Sequence, residues 1–330
     1  IDLTLDYFNN LRTDILLQRK TLPSLTGFRE SPWENYGKVR NQGMDASLIM
    51  TEKFGDVRLT FRGNLTFARN KILEYDEVPQ NHPWMNMTGS RLGSWNLYIA
   101  EGLYTFDDFD ITTDADGKKI YKLKPGLPVS SLGSTEPGDI KLKDLNGDGV
   151  INPNDQTRYA ADPKNPELVY GFGLNADYKG FYASVFFQGT GKTSTVLGQA
   201  NGPGFHPFAW GDRTSGTRIQ SLNRWSEENP SQNVLFPRLH SSSNFNNRSA
   251  NTWWLRNASF LRLKNIEVGY NVPAKTAMKI GMQAARIYLM GYNIAVWDHI
   301  GLWDPEMGNK NDGMAYPLPR TFTLGVEFTF

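Results

Sequence analysis

The sequence predicts an all-β protein whose strands form a transmembrane antiparallel β-barrel, and three observations lead to this prediction. Apolar and polar residues alternate with a period of two over several long segments, as in strands with one apolar and one polar face. Aromatic residues make up 13% of the chain, although its mean hydropathy is −0.49. A membrane barrel combines both properties because its outside is apolar and its interior polar. No run approaches the roughly 18 apolar residues of a spanning helix.

The composition excludes several other classes of protein. Cysteine is absent, so the chain has neither a disulfide framework nor a thiolate metal site. The 35 basic and 34 acidic residues give a formal net charge of +1, and their even spread leaves no basic face for nucleic acid. A strand pattern begins directly at Ile1, without an initiator methionine, so we expect a processed or partial chain.

The first half of the chain predicts one long strand and a hairpin. Apolar and polar residues alternate from Leu3 to Leu17, which indicates a strand with a single apolar face. Gly55-Asp56 then marks a tight turn between two alternating segments. Arg58 and Arg62 lie on the polar side of this hairpin, so we expect them to face the barrel interior.

The second half contains the clearest strand patterns. Lys179-Gly180 joins two strands in another hairpin, and a phase change near Asn265 predicts a β-bulge. Alternation is strictest at the end of the chain, from Thr321 to Phe330. With a weaker strand or bent pair between Arg91 and Phe106, the prediction is about ten strands.

Long polar segments separate these strands, chiefly residues 71–90, 107–138 and 189–250. Within them, Asp114–Gly117 predicts a hairpin turn, and Ile219 to Glu228 predicts a short helix. Irregular loops of this length are unusual in a compact soluble domain but common on the extracellular side of an outer-membrane barrel.

The most specific chemical motif is the twelve-residue stretch DLNGDGVINPND. Oxygen-bearing residues occupy the ligand positions of an EF-hand-type loop, and these candidate metal ligands are Asp144, Asn146, Asp148, the carbonyl of Val150, Asn152 and Asp155. Oxygen donors suit a hard cation, so the expected cofactor is Ca²⁺, with Mg²⁺ as the alternative. Gly149 stands at position six, where the chain must adopt φ > 0. The competing interpretation is a polar surface turn whose side chains bond to their own backbone.

Aromatic side chains in the loops form a second candidate site. They offer flat apolar faces on which sugar rings or peptide side chains could stack. Packing inside the loops and an interfacial girdle against lipid headgroups are the alternatives. The candidate ligand-binding residues are Trp84, Trp95, Trp210, Trp253 and Trp303.

Catalytic arrangements are not found in the sequence. Gly189–Thr193 reads GTGKT, the end of a phosphate-binding loop, but Phe186 occupies the position of the first glycine and no helix pattern follows. The four histidines are far apart and have no carboxylate or serine at motif spacing. We therefore expect the chain to be non-enzymatic.

Several blocks of the sequence resemble the SusC/RagA-like TonB-dependent outer-membrane transporters of Bacteroidota. Together they cover most of residues 36–330, and Phe330 is similar to the terminal aromatic residue by which such barrels are recognised for insertion. The matching blocks are GDIK followed by DLNGDGVINPND, VYGFGLNADYKGFYASVFFQG, LNRWSEENP, SFLRLKNIEVGYNVP, MGYNIAVW, LWDPEMG and YPLPRTFTLGVEFTF.

The resemblance implies a barrel of about 22 strands with an N-terminal plug. Residues 1–330 would supply the C-terminal part of that barrel, with the plug absent from this chain. It further implies TonB-dependent uptake of oligosaccharide or peptide in the bacterial outer membrane, with the loops facing the cell exterior. The expected partners are a SusD-like surface lipoprotein, TonB through the missing N-terminal part, the remaining barrel half and plug, and lipid and lipopolysaccharide, without nucleic acid.

Three alternatives remain at this level. A secreted calcium-stabilised carbohydrate-binding β-protein would account for the metal loop and the tryptophans, but not for long strands with charged faces opposite apolar ones. A passive porin-like channel would use the same strands without TonB. An independent barrel of about ten strands is allowed by strand number, although the matching blocks would then lack their partners.

Overall fold

The computed structural model describes residues 1–27, 29–198, 205–207, 219–241, 244–307, 313 and 315–330. The strands are β1 (Asp2–Gln18), β2 (Trp33–Phe54), β3 (Val57–Glu74), β4 (Ala100–Leu103), β5 (Phe109–Thr113), β6 (Lys119–Leu123), β7 (Val129–Ser130), β8 (Ile140–Leu142), β9 (Val150–Ile151), β10 (Leu168–Tyr178), β11 (Phe181–Gly191), β12 (Ser194–Val196), β13 (Leu255–Asn257), β14 (Phe260–Val272), β15 (Ala284–Asp298) and β16 (Thr321–Thr329).

Helices are few and short in this part of the chain. Two α-helices are described, α1 (Phe245–Arg248) and α2 (Ala274–Met278). Across the described ranges, no helix is long and apolar enough to span a bilayer. Single 3₁₀ turns occur at Ser24–Thr26, Pro83–Met85, Phe106–Asp108, Pro153–Asp155, Ile219–Leu222 and Pro305–Met307.

Eight long strands form one antiparallel sheet, which we call the main sheet, in the order β1-β2-β3-β10-β11-β14-β15-β16. Each strand pairs with the next long strand of the sequence, so the sheet is a meander. The prediction of about ten barrel strands was too high because the stretch 91–106 contributes only β4, which pairs with β8 outside the main sheet. Trp95, Leu97 and Tyr98 of that stretch are buried in a separate core. The total strand number of a closed barrel stays a prediction.

Cross-strand register gives the main sheet one apolar and one polar face, because residues that pair directly share a face. Leu5, Ala46, Leu65 and Tyr170 form one row of partners on the apolar face. On the polar face, Asp45 lies opposite Asp6 and Thr66 and accepts a hydrogen bond of 2.6 Å from the Thr66 hydroxyl. The apolar face is widely exposed, with Leu324 at 73% for example, as is typical of a surface that meets lipid or protein.

The connections differ in length at the two ends of the main sheet. At one end, the short-turn end, β2–β3 and β10–β11 are joined by the predicted two-residue turns, with Gly55 at φ 62° and Gly180 at φ 89°, and β14–β15 are joined by residues 273–283, which contain α2. At the other end, the long-loop end, β1–β2 are joined by residues 19–32, and the longer connections span residues 75–167, 192–259 and 299–320. Outer-membrane barrels show the same asymmetry, with short periplasmic turns and longer extracellular loops.

Register shifts mark two irregular positions in the strands. The bulge predicted near Asn265 is confirmed, because the pairing of β14 with β15 shifts between Leu263 and Asn265. In β1 the pairing with β2 shifts between Arg12 and Ile15, and Asp14 adopts φ 56°. The uninterrupted alternation predicted up to Leu17 is therefore wrong beyond Arg12, since extra residues in one strand change which face the following side chains occupy.

Two predictions in the loops have different outcomes. The turn at Asp114–Gly117 is confirmed, since it joins β5 to β6 with Gly117 at φ 79°. The helix predicted from Ile219 to Glu228 is wrong, because only the first four residues form a 3₁₀ turn. Trp225 lies instead in extended chain, where its N–H donates to the carbonyl of Phe236 at 3.0 Å and its ring is buried.

The long connections pack together into one layer, which we call the loop cap and define as the described residues of 75–167, 192–259 and 299–307. Four two-stranded sheets lie in it, β4-β8, β5-β6, β7-β9 and β12-β13. Its core contains Leu97, Ile140, Ile151, Leu197 and Trp254, each with 0% exposure. The loops expected to be irregular therefore have a hydrophobic core of their own.

At its long-loop end, β15 has a partner strand on one side only among the described residues. β16 pairs with Ala284–Tyr292, whereas Ala295–Asp298 pair with β14 alone, and Asn293 and Ile294 lie in the bulge between the two paired stretches. The segment before β16 contains Pro317 and Pro319, which have no N–H to donate to a ladder. Only the Asn293 side chain reaches this segment among the bonds described, donating to the Pro319 carbonyl at 3.2 Å.

We predict that Gly43→Ala impairs folding of the main sheet. A Cβ at Gly43 would lie 2.0 Å from the carbonyl oxygen of Phe67 and 2.6 Å from the Phe8 ring. Because the Phe67 backbone is fixed in the ladder, the clash should cost about 1–3 kcal/mol. The folded fraction can be measured by electrophoresis without and with heating. The matched control is Gly63→Ala, whose Cβ would lie 3.2 Å from the Phe61 ring and 4.0 Å from the Gly171 carbonyl oxygen, so that no backbone atom clashes with it; equal folded fractions for the two variants would contradict the prediction.

Candidate metal loop and loop aromatics

The predicted metal loop is a compact turn held by its own side chains. Asp144 accepts two backbone hydrogen bonds, from the N–H groups of Gly147 and Gly149, each at 2.7 Å. Asp148 accepts from the Val150 N–H at 2.8 Å and from the Asn146 side-chain amide at 2.8 Å. Gly149 adopts φ 83°, as predicted for position six. These bonds tie the side chains of positions one, three and five to the turn.

The last ligand position is more enclosed than the others. Asp155 is fully buried, and its two oxygens accept from the N–H groups of Leu145 and Asn152, each at 2.8 Å. Asn152 in turn accepts from the Asn154 N–H at 2.9 Å, which completes a capping box around the 3₁₀ turn. The side chain of Asp155, the last residue of the loop, therefore closes it by accepting bonds from the backbone of the second and ninth residues.

The donor chemistry of this loop suits a hard cation. All six candidate groups offer oxygen, and a carboxylate has about four lone-pair sites, so Asp144 and Asp148 retain acceptor capacity beyond their backbone bonds. In the described ranges, however, no group of three or more His, Cys, Asp or Glu side chains is positioned to hold a metal ion. Hydrogen bonds to the loop's own backbone match the alternative of a polar turn, and occupancy by calcium stays a prediction.

The loop is anchored to the loop cap on two sides. Its Val150–Ile151 segment pairs in parallel with Val129–Ser130, and the Ser131 N–H donates to the Ile151 carbonyl at 2.9 Å. On the other side, the Trp84 indole donates to the Asn154 carbonyl at 2.9 Å. A change in the conformation of the loop would therefore be transmitted to both neighbouring segments.

The four candidate ligand-binding tryptophans that the structure describes do not converge on one surface. Trp95 is 7% exposed in the core of the loop cap, and Trp253 packs against that core while donating to the Leu235 carbonyl at 3.1 Å. Trp303 is half-buried and meets Phe205 edge to face. Trp84 lies beside the metal loop instead, and Trp210 falls outside the described residues. These contacts match the packing alternative, and ligand contact stays a prediction.

A buried polar cluster was not predicted from the sequence. Asp139 is fully buried, and its carboxylate bonds to the His240 ring at 2.6 Å and to the Asn247 amide at 2.7 Å. Asn247 also accepts from the Ile140 N–H at 2.9 Å, so the cluster joins two segments about a hundred positions apart. Burial opposes protonation of His240, but the hydrogen bond to Asp139 and the charges of Asp139 and Glu136 outweigh it and raise its pKa.

A buried carboxylate also connects two chain segments at the long-loop end of the main sheet. Asp76, which follows β3, accepts hydrogen bonds from the Thr21 side chain and the N–H groups of Lys20 and Thr21, and pairs with Arg19. Burial alone would raise the pKa of Asp76, but these donors lower it to about 2. This carboxylate therefore remains ionised and holds the segment after β1 against the end of β3.

Known proteins similar to nearly the whole chain include TonB-dependent receptors. TonB-dependent receptor P26 of Formosa agariphila is 30% identical over 343 residues, which is 99% of this chain and 32% of the relative. TonB-dependent receptor SusC of Bacteroides thetaiotaomicron is 24% identical over 97% of this chain and 29% of its own length. The chain thus spans about a third of the length of these curated relatives. No protein-family model matches it.

Solved structures with a similar fold include those of a peptide importer. The RagAB peptide importer in its closed-closed state matches 99% of this chain and 33% of its own chain, with a TM-score of 0.69 and 23% identity. The open-open state matches with the same TM-score and 22% identity. At this level of identity the likeness concerns the fold.

The amphipathic meander, the loop cap and these relatives define a class of protein, the TonB-dependent receptors. Within that class the chain is a partial SusC/RagA-like receptor, as the sequence blocks indicated. The relatives that match nearly the whole chain are receptors and transporters, not enzymes, in agreement with the expectation of a non-enzymatic chain. The position of the chain within the whole receptor, and the placement of the plug outside it, stay predictions.

We predict that the His240–Asp139 contact makes the loop cap more stable at pH 6 than at pH 8.5. Because the pKa of His240 is raised in the folded state, its contribution is complete below the unfolded pKa of about 6.5 and is lost as the pH rises through the folded pKa. Hydrogen exchange of residues 136–140 and 238–241, corrected for its intrinsic pH dependence, measures the effect. The control His240→Gln should remove the difference, and retention of the difference in that variant would disprove the assignment.

Proposed function

We propose that this chain forms part of the barrel wall and outer loops of an outer-membrane importer that takes up oligosaccharide or peptide. The single observation that carries the proposal is the main sheet itself, an antiparallel meander with one apolar face, short turns at one end and long connections at the other. A polypeptide can cross a bilayer as strands only when their backbone groups are paired within a closed barrel. A sheet of this form therefore suits a transmembrane wall.

The polar face of the main sheet suits a wet interior. Arg58 pairs in register with Asp177, and Arg286 donates to Glu327 at 2.7 Å across β15 and β16. Charged pairs of this kind would be costly against lipid but are well solvated inside a channel. In this function the protein moves its substrate without changing it covalently, which requires no catalytic residues.

The finer parts of the proposal concern energy, partners and orientation. One relative is named SusC and the similar structures are those of a peptide importer, which supports energisation through TonB and capture together with a SusD-like surface lipoprotein. The long-loop end would face the cell exterior, because outer-membrane barrels carry their longer loops there. The loop cap would then meet the substrate before the interior of the barrel does.

We predict that uptake through the complete receptor requires TonB. The receptor gene would be expressed in a strain that lacks it, and accumulation of labelled oligosaccharides and peptides measured with and without tonB. An energised importer should lose accumulation without TonB, whereas a passive channel would retain it. A receptor that is soluble without detergent, with no heat-modifiable migration, would instead support the secreted carbohydrate-binding protein and disprove the transport proposal.

We also propose a structural calcium ion in the loop from Asp144 to Asp155. Asp144, Asn146, Asp148 and the Val150 carbonyl would supply its main ligands, and Asn152 and Asp155 stand at the two remaining ligand positions of the loop. The ion would neutralise the exposed carboxylates and stiffen the turn. Because the loop contacts Trp84 on one side and β7 on the other, its stiffening would steady the loop cap.

We predict that Asp144→Ala/Asp148→Ala abolishes calcium-dependent stabilisation. Calcium at one hundred times its Kd should add about 2.7 kcal/mol to the wild type, which appears as a higher melting temperature than in chelator. The matched control is Asp107→Ala/Asp110→Ala, because both carboxylates are exposed in the same loop cap without described side-chain bonds. This control should respond to calcium like the wild type. A calcium response that persists in the Asp144/Asp148 variant would remove the site from consideration.

A further inference from the structure

We propose that the apolar face of the main sheet carries, at its long-loop end, a binding site for a phosphorylated lipid of the outer leaflet. The site consists of a cationic patch, defined as Arg40, Arg69 and Lys71, above an apolar row. In the register of β2 and β3, Arg40 pairs with Lys71, and Gln42 pairs with Arg69. The three cations therefore share one face of two neighbouring strands.

The patch lies directly beyond the last apolar row of the same face. Tyr7, Met44 and Phe67 are partners across β1, β2 and β3, and Arg69 follows Phe67 by two positions on β3. Side chains two positions apart in a strand point the same way, about 7 Å apart. The cations thus continue the surface that carries the apolar residues, and do not point to the polar face with Arg62.

Dimensions place this boundary at the edge of the hydrocarbon. The apolar positions of β3 run from Val57 to Phe67, and the ten residue steps between them cover about 34 Å of strand and about 26 Å of membrane at the usual tilt of about 40°. Outer-membrane barrels have an apolar band about 25 Å tall. The headgroup layer adds roughly 5–7 Å on each side, which is the level that the patch would occupy.

Charge in the patch is only partly compensated. Arg69 donates to the buried Glu167 at 2.7 Å, and Arg91 contacts the same carboxylate at 3.0 Å. Arg40 and Lys71 are exposed, and neither forms an ion pair with any residue in the described ranges. Two unpaired cations and one shared arginine therefore leave a local positive charge beside an apolar surface.

The shape of the surface fits an amphiphile. A groove of about 710 Å³ runs between the apolar row and the patch, lined by Tyr7, Met44 and Phe67 at one end and by Arg40, Arg69 and Lys71 at the other. An acyl chain would lie on the apolar end, and its phosphate would meet the cations, which bind such oxyanions by charge-assisted hydrogen bonds. The combination selects a phosphorylated lipid over a neutral lipid, which lacks the charge, and over a free anion, which lacks the chain.

This inference rests on the proposed outer-membrane function, and its test uses the complete receptor in detergent. Native mass spectrometry would follow binding of bis-phosphorylated lipid A to wild type, to Arg40→Gln/Lys71→Gln and to the matched control Arg58→Gln/Arg62→Gln, which removes two cations from the polar face. Each lost surface cation weakens the attraction to an anionic lipid. We expect affinity to fall at least tenfold in the first variant and to stay unchanged in the control.

Two further arms identify the ligand. Lipid A without phosphates should bind the wild type as weakly as the phosphorylated lipid binds the Arg40/Lys71 variant, and millimolar inorganic phosphate should leave the bound lipid in place. Equal affinity of all three proteins, equal binding of both lipids, or displacement by inorganic phosphate would each overturn the site. Heat-modifiable migration of every variant separates the two proposals: a receptor that inserts but shows no selectivity refutes only the lipid site, whereas a receptor that never forms a barrel refutes the proposed function.

Discussion

The antiparallel hydrogen-bond ladder is the constraint on which the rest of this structure depends. Because a ladder fixes which residues lie opposite one another, and side chains alternate between faces, one register determines the composition of both surfaces. Met44 and Phe67 are partners on the apolar face for the same reason that Asp45 and Thr66 are partners on the polar one. The turns, the position of the loop cap and the rows of charged residues all follow from this register.

The loop cap is held together by other interactions, because no single hydrogen-bond ladder extends through all of it. It is held by a hydrophobic core and by buried polar side chains that replace missing backbone partners, as Asp139, Asn246 and Asn247 do around Ile140. Asp155 does the same within the metal loop. A buried polar cluster whose members are bonded to one another, such as that around Asp139, favours a single arrangement of the chain. The cap therefore has defined packing there although it contains little regular structure.

The sequence was most informative where structure is set by neighbours in the chain. Alternation and the turn glycines Gly55 and Gly180 are local signals, so the hairpins could be predicted, and the phase change at Asn265 revealed a bulge for the same reason. The bulge near Asp14 was missed because an aspartate at φ 56° carries no comparable signal. The spacing of the metal loop correctly predicted the conformation of Gly149, but not the burial of Asp155, which depends on the fold around it. The contacts of Asp139 with His240 and Asn247 join residues 101 and 108 positions apart, and no local pattern reports them.

The single-sided pairing of Ala295–Asp298 has a mechanical consequence. Most strands of the main sheet are hydrogen-bonded to a neighbouring strand along both edges, so a sideways load is shared between two ladders. The ladder between β15 and β16 ends at Tyr292, and the prolines before β16 prevent it from continuing. A load applied through the connection between β15 and β16 would therefore act on the β14–β15 ladder alone. This end of β15 should deform more easily than the rest of the main sheet.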